Sequence, residues 1–370
     1  MKSTKFLSVS GLTVLFVTSL SFIGCAPAPL SQLHLDPNGG SGAVETTAFS
    51  TGVAVAIPVP TGITKTGSIL AAWNTAADGS GTYYDLTEEV TLTADLTLYA
   101  MWSTDGLEYS LINSDTEYSV KKGSATATEI EVSGYWMGKK VTEVEHSAFK
   151  DYNALTDIKL PPTITLIQAH AFSGCANLAL TSLPDGIETI RSSAFFNAKK
   201  ITLTSLPSGL TQLDLAVFYG CSGVNLTSLP SGLEHIAGSA LSGTKSSFTT
   251  LPGTVTTLVT QALGGTAMAS MTIPASVTSI GSQLFNNNDV ITEVTLEGDY
   301  SELTDTFKTD SANGKLATVN ITNDTTPATL VGDVFPSTVT SIKVPSSAVD
   351  TYKTATGWTG YAGIISAYSP

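Results

Sequence analysis

Residues Leu160 to Ser182 read LPPTITLIQAHAFSGCANLALTS, and Leu183 to Ser205 read LPDGIETIRSSAFFNAKKITLTS. Laid over one another they share Leu-Pro at the start, Ile164 over Ile187, Ile167 over Ile190, Phe172 over Phe195 and a closing Thr-Ser. The same columns run outward in both directions. A ring or leucine recurs at Phe149, Phe172, Phe195, Phe218, Leu241, Leu263 and Phe285, in steps of 23, 23, 23, 23, 22 and 22 residues. A second column, each member followed by proline, falls at Leu160, Leu183, Leu206, Leu229, Leu251 and Ile273. A third holds the pairs Ile164/Ile167, Ile187/Ile190, Leu210/Leu213, Leu233/Ile236, Val255/Leu258 and Val277/Ile280. Independent columns keeping one step mark a repeat array.

The energetics explain why such a unit must be repeated. Ordering the backbone costs roughly 1–2 kcal/mol per residue. Burying five or six apolar side chains returns on the order of 1.5–3 kcal/mol each. One repeat alone falls short, so each must bury its open sides against neighbours. A period of 22–23 residues fits one coil of a leucine-rich-repeat solenoid, with a short strand, a Pro-marked turn and an irregular return. All three columns are expected to point into the coil.

The pattern Leu-Pro-x-x-Ile/Val-x-x-Ile-x-x-x-Ala-Phe-x-x-Cys resembles the BspA-type leucine-rich repeats of bacterial surface proteins. The resemblance covers residues 107–297, with Glu108 to Lys140 expected as the N-terminal cap and Tyr135 and Trp136 covering the first coil. Residues 298–370 match less well and are read as divergent last repeats and a C-terminal cap. There Ile342-Lys343-Val344-Pro345 resembles one more repeat, and Tyr352, Trp358 and Tyr361 lie in the cap. Caps are required physically, because an open solenoid end exposes core and strand edges.

Ahead of the array, residues 33–103 carry strand and hairpin signals. Asp36-Pro37-Asn38-Gly39-Gly40 is dense in turn formers, and Val53, Val55 and Ile57 alternate with alanines. Leu96, Leu98, Ala100 and Trp102 share one face of a strand. The Asn-Gly-Gly turn, Trp73, and the Leu98-Tyr99-Ala100-Met101-Trp102 ending resemble the Listeria–Bacteroides repeat, which implies a small β-grasp-like module. The chain departs from that family's Phe-x-Gly-Trp at Leu70-Ala71-Ala72-Trp73. The fold class is therefore expected to be mainly β: a solenoid preceded by a small β module.

The first 25 residues read as an export signal. Lys2 and Lys5 precede an apolar stretch from Phe6 to Ile23, which closes on Phe22-Ile23-Gly24-Cys25. That ending resembles the lipobox of bacterial lipoproteins, which implies that Cys25 is acylated and becomes the new N-terminus. Residues 26–32 then form a tether. Removing two lysines and no acid takes the net charge from −14 to −16. No other apolar run approaches the ~20 residues that span a bilayer, so the expected localisation is the bacterial cell envelope, lipid-anchored at the outer membrane or cell surface and facing outward. Charged residues make up only 13% of the chain, and no basic block offsets the acidic balance. Nucleic-acid binding is accordingly not expected.

Motifs for chemistry are weak. Cys175 and Cys221 stand at one offset in alternate coils with Ala198 between them. Coils stacked at ~4.8 Å hold them too far apart for a disulfide, which needs under about 7 Å at Cα, so both are expected as buried thiols. The four histidines, His34, His146, His170 and His235, lack metal-ligand spacing and are expected to be scattered at the surface without forming a ladder. Gly39-Gly40-Ser41-Gly42 lacks the Lys-Ser/Thr of a phosphate loop, and Gly238-Ser239-Ala240-Leu241 lacks the second glycine of a nucleophile elbow. Asp78-Gly79-Ser80-Gly81 and Asn286-Asn287-Asn288-Asp289 offer oxygens to calcium but not an EF-hand's alternating carboxylates. No catalytic set, metal or cofactor is expected. The resemblance implies an interaction protein that adheres to host or bacterial surface macromolecules, and a monomer is expected. The alternatives are a structural envelope lipoprotein and a glycan-binding module, the last favoured by an exposed cluster of aromatic rings.

Overall fold

A computed structural model describes residues 28–311, 314–322 and 325–369. The export segment and Cys25 lie outside the described residues. The first body contains β1 (Leu30–Asp36), β2 (Glu45–Ser50), β3 (Ala54–Ala56), β4 (Ser68–Asn74), β5 (Tyr83–Tyr84), β6 (Glu89–Thr91) and β7 (Leu96–Thr104). Its sheet runs β2-β1-β7-β4-β5, with β1 and β7 parallel at the centre and antiparallel strands on both sides. Strict alternation puts Leu33, Leu35, Leu98, Ala100 and Trp102 into one core with Trp73. The run Val53 to Ile57 gives only the short β3, which pairs with β6 and leaves Val53 exposed. The tether expected at 26–32 is shorter than read, because Leu30–Gln32 already belong to β1 and pair with Ser50–Ala48. Leu33 and Leu35 fix the face of that strand, and the pairing with β2 draws the preceding residues in.

From residue 107 the chain winds into the solenoid. The third column makes parallel two-residue strands: Leu166–Ile167 pairs with Thr189–Ile190, and Gln212–Leu213, His235–Ile236, Thr257–Leu258 and Ser279–Ile280 pair in series. The inner isoleucines and leucines of these strands are buried, apart from a partly exposed Ile280. The first column is buried throughout. Phe149, Phe172, Phe195 and Phe218 stack almost parallel, with ring centroids 5.4, 5.2 and 5.5 Å apart. The column also continues past Phe285 to Phe307 and Phe335, at 6.4 and 5.8 Å.

Between strand and ring, every coil turns through a left-handed residue. Ser147, His170, Ser193, Ala216, Ser239, Gln261, Gln283 and Asp305 all have φ between 43° and 59°, each two residues before its ring or leucine. A second left-handed column follows two residues after it: Asp151, Gly174, Asn197, Gly220, Gly243, Gly265 and Asn287. These turns aim successive N–H groups along the solenoid axis. In one coil Ser147, Phe149 and Asp151 donate to Ala169, Phe172's neighbour Ala171, and Ser173 at 3.0, 2.8 and 2.8 Å. The conformational strain thus satisfies backbone groups that would otherwise be buried unpaired.

The second column behaves differently from the expectation. Leu160, Leu206 and Leu229 are only partly buried. They stand at the Pro-marked corner, where the chain leaves the core. The spacing of the last two apolar residues at the corner differs between coils with a strand there and coils without one. Where it is two, as in Ile158–Leu160, Met271–Ile273, Val294–Leu296, Val319–Ile321 and Ile342–Val344, strands form at Asp157–Lys159, Ser270–Ile273, Glu293–Leu296, Thr318–Ile321 and Ser341–Val344. Where it is three, as in Leu180–Leu183, Leu203–Leu206, Leu226–Leu229 and Phe248–Leu251, the described chain is strandless. A two-residue step at the corner keeps both side chains on one face of a pleat.

The ends are closed as the physics requires. At the N-terminal end lie β8 (Glu108–Ile112), β9 (Glu117–Lys121), β10 (Glu129–Glu131), β11 (Tyr135–Trp136) and β12 (Lys139–Val144). Strand β9 pairs with β12 and starts the parallel ladder. At the other end α1 (Val349–Thr354) and a 3-10 segment (Thr359–Ile364) bury Trp358 against Phe335 and Tyr352 edge to face on Trp358. Trp136 stacks on Tyr109 at 4.4 Å beside the first coil. Tyr135 does not cover that coil. Adjacent residues of a strand face opposite ways, and Tyr135 stacks on Tyr83 of the β module at 4.6 Å instead.

Candidate functional site

The sequence-marked residues resolve mostly into structural parts. Cys175 and Cys221 are free and buried, and each thiol donates to the carbonyl of a ring residue in the preceding coil (Phe149 at 3.0 Å, Phe195 at 2.9 Å). Burial pushes both thiols up to about 12. A thiolate is therefore absent at ordinary pH, and with it nucleophilic reactivity. His34 shares a hydrogen bond with Thr46 (2.9 Å) and His235 lies exposed on the ladder. His146 and His170, expected to be unrelated, meet edge to face at 5.7 Å. They differ by one residue in register, but adjacent coils are so close that a tight turn brings the rings together.

The two loops with calcium-like oxygens are fastened internally. Asp78 accepts from the amide (3.0 Å) and hydroxyl (2.6 Å) of Ser80, which hold its carboxyl below the usual carboxylate range. Asn286 and Asn288 are buried and bond to Asp310, Thr266 and the backbone. Among the described residues, no three His, Cys, Asp or Glu side chains gather as metal ligands would. The Gly39–Gly42 stretch is a turn, with Ser41 bridged to Thr64 and Gly40 pressed against Trp102.

The surface that remains is the lateral wall of the middle coils. One side carries exposed hydroxyls in rows: Thr181 and Ser182, Thr204 and Ser205, Thr227 and Ser228, Thr249 and Thr250. At the turn after the ladder lies an apolar patch. Leu215 is 56% exposed and Val259 42%. They stand in alternate coils and flank Gly238, where a Cβ would lie 3.3 Å from Leu215 and 3.7 Å from Val259. On the same coil as Leu215, Tyr219 stacks on Phe196 at 5.0 Å and is 39% exposed. These two rings form a stacked pair on the wall. The tandem aromatics Phe195-Phe196 and Phe218-Tyr219 already held this information: the core column accepts one ring per coil, so the following ring must face outward. Leu215 and Val259 carried no such signal, because their columns are otherwise polar or small.

Comparison with known proteins agrees with this architecture. The profile of the BspA type Leucine rich repeat region matches residues 142–266 and 261–351, in six copies, and together these exceed half the chain. The Listeria-Bacteroides repeat domain matches residues 34–101. Among solved structures, a leucine rich cell surface protein from Faecalibacterium prausnitzii is similar at 18% identity and TM-score 0.50, over 65% of this chain and 75% of that one. The leucine rich repeat protein of T. pallidum is 24% identical over 49% of this chain and 86% of that one, at TM-score 0.44. A comparison with curated proteins returns no match. With the coil, its caps and the profile match in agreement, the chain belongs to the BspA-type leucine-rich-repeat proteins, with a Listeria–Bacteroides repeat on its N-terminal side.

Proposed function

We infer that this chain is a lipid-anchored cell-surface interaction protein. Its middle coils dock a surface protein of a host cell or of another bacterium. The observation that carries this reading is the Leu215–Gly238–Val259 patch beside the Phe196–Tyr219 pair. Exposed apolar side chains that group together, unlike single ones, mark a recognition face. The low charge of the chain favours contact by apolar groups and hydroxyls over electrostatic steering. The F. prausnitzii protein of the same fold is described as a cell surface protein, and the Gly24-Cys25 ending supplies the lipid attachment in this reading.

Binding of the mature chain to immobilised matrix proteins and to intact cells tests the proposal. The double variant Leu215→Asp, Val259→Asp is expected to bind at least about tenfold more weakly, equivalent to about 1.4 kcal/mol, with unchanged circular dichroism. A mature chain that binds no partner, together with a deletion strain that attaches normally, defeats the adhesion reading. Separately, Cys25→Ser is expected to move the protein from the membrane to the soluble fraction. Retention in the membrane removes the lipid anchor.

A further inference from the structure

Far from the apolar patch, the outer face of the C-terminal sheet holds a small polar groove of about 250 Å³. Its floor is one register row across the parallel strands: Thr272 beside Thr295, beside Asn320, beside Lys343. Glu293 lies along one side. Tyr368, whose amide is tied to the Val344 carbonyl at 2.7 Å, closes the end.

Asn320 is the unusual member. It sits on the outward face of its strand yet is only 3% exposed. Its Nδ2 donates to Glu293 Oε1 (2.7 Å) and to Thr295 Oγ1 (3.1 Å). Its Oδ1 has no partner among the described residues. A buried carboxamide oxygen without a donor is uncommon in a folded protein and calls for an explanation. The groups around it, Glu293 exposed and Lys343 half-exposed, are long surface side chains that change rotamer within nanoseconds. A donor entering the groove therefore reaches Asn320 by displacing side chains, not backbone.

We propose that this groove binds a neutral saccharide unit. The lining favours a neutral polar ligand over the other common classes. A free anion meets the Glu293 carboxylate, a free cation meets the Lys343 ammonium, and an apolar side chain finds little to pack against except one ring. A sugar ring matches on each count: its hydroxyls both donate and accept, as the alternating Thr, Asn, Glu and Lys groups require, and its C–H face packs on Tyr368. The hydroxyl opposite Asn320 donates to Oδ1. The site goes beyond the adhesion reading and does not depend on it, since it lies on a different part of the wall.

Saturation-transfer NMR of the full chain with the methyl glycosides of glucose, galactose, mannose and N-acetylglucosamine tests the proposal. At least one glycoside is expected to receive saturation at its ring protons. Tyr368→Ala and Asn320→Thr are each expected to weaken it tenfold or more, while Ser228→Ala, on the strandless coils, leaves it unchanged. Should Asn320→Thr disturb folding, Tyr368→Ala at the rim decides alone. The proposal is overturned if no glycoside receives saturation, if transfer survives Tyr368→Ala, or if only methyl sulfate or acetyl-lysine amide binds.

Discussion

At the scale of single residues, the coil depends on positions where the chain adopts a conformation that most side chains avoid. Gly174 shows the constraint doubly. Its φ is +73°, and an added Cβ would stand 2.1 Å from Asp151 Oδ1 of the preceding coil. Left-handed backbone costs an L-residue roughly 1–2 kcal/mol and the clash adds to it, so Gly174→Ala is expected to lower stability by more than that amount, read as a reduced urea midpoint. Asp151→Gly in the same chain is expected to restore part of it by removing the clashing oxygen. The alternation of Asp151, Gly174, Asn197 and Gly220 has the same cause, for Gly220 lies under Asn197 Oδ1. The thiols make a second test. Free thiols ordinarily titrate near 9, and burial pushes Cys175 and Cys221 to about 12. The folded chain thus favours the neutral form. The resulting stability is complete below pH 9 and is lost as pH rises from 9 towards 12. Iodoacetamide at pH 8 is expected to spare both cysteines in the native chain and to label both in urea without reductant, as peptide mass spectrometry reads out. Labelling in the native state contradicts their burial.

At the scale of the element, the unit is the stacked coil. Phe195 lies between Phe172 and Phe218 and packs on both. Phe195→Ala is expected to cost about 3–5 kcal/mol, the range for deleting a buried phenylalanine. Because coils are coupled to their nearest neighbours, the loss falls on two interfaces at once. Hydrogen exchange is expected to rise in the amides of Phe172 and Phe218 before those of Val319 and Ile342. Uniform acceleration along the chain would instead mean that the array opens as a single unit. Much of this level was legible beforehand. The 22–23-residue step named the buried rings and the paired columns that form the two-residue ladder. The left-handed turns were less visible, since Ser, His, Ala and Gln at the first column share no chemistry. They are imposed by the need to turn N–H groups along the axis, which is a property of the neighbouring coil.

At the scale of the whole molecule, the β module and the solenoid are joined by more than a linker. Tyr83 stacks on Tyr135. Glu131 forms ion pairs with Lys65 of the module and with Lys159 of the first coil, and its amide donates to Thr104 Oγ1 at 2.7 Å. The Ser103 hydroxyl meets that of Tyr109 at 2.8 Å. A Cβ on Gly134 would fall 2.2 Å from the Tyr83 hydroxyl, so Gly134→Val is expected to part the two bodies. Calorimetry is expected to show one transition for the native chain and two for the variant. Two transitions in the native chain would show that these contacts do not couple the bodies.

The amino-acid sequence alone determined the coil, its period, its buried rings and the need for caps, because a repeated apolar spacing admits few ways of hiding itself from water. It did not determine what meets across coils or between bodies. The pairing of His146 with His170, the approach of Leu215 and Val259 over Gly238, the row from Thr272 to Lys343 and the seating of Tyr135 on Tyr83 join residues from about 20 to more than 70 positions apart. Such neighbours arise from the pitch and closure of the coil, which no local pattern of side chains encodes.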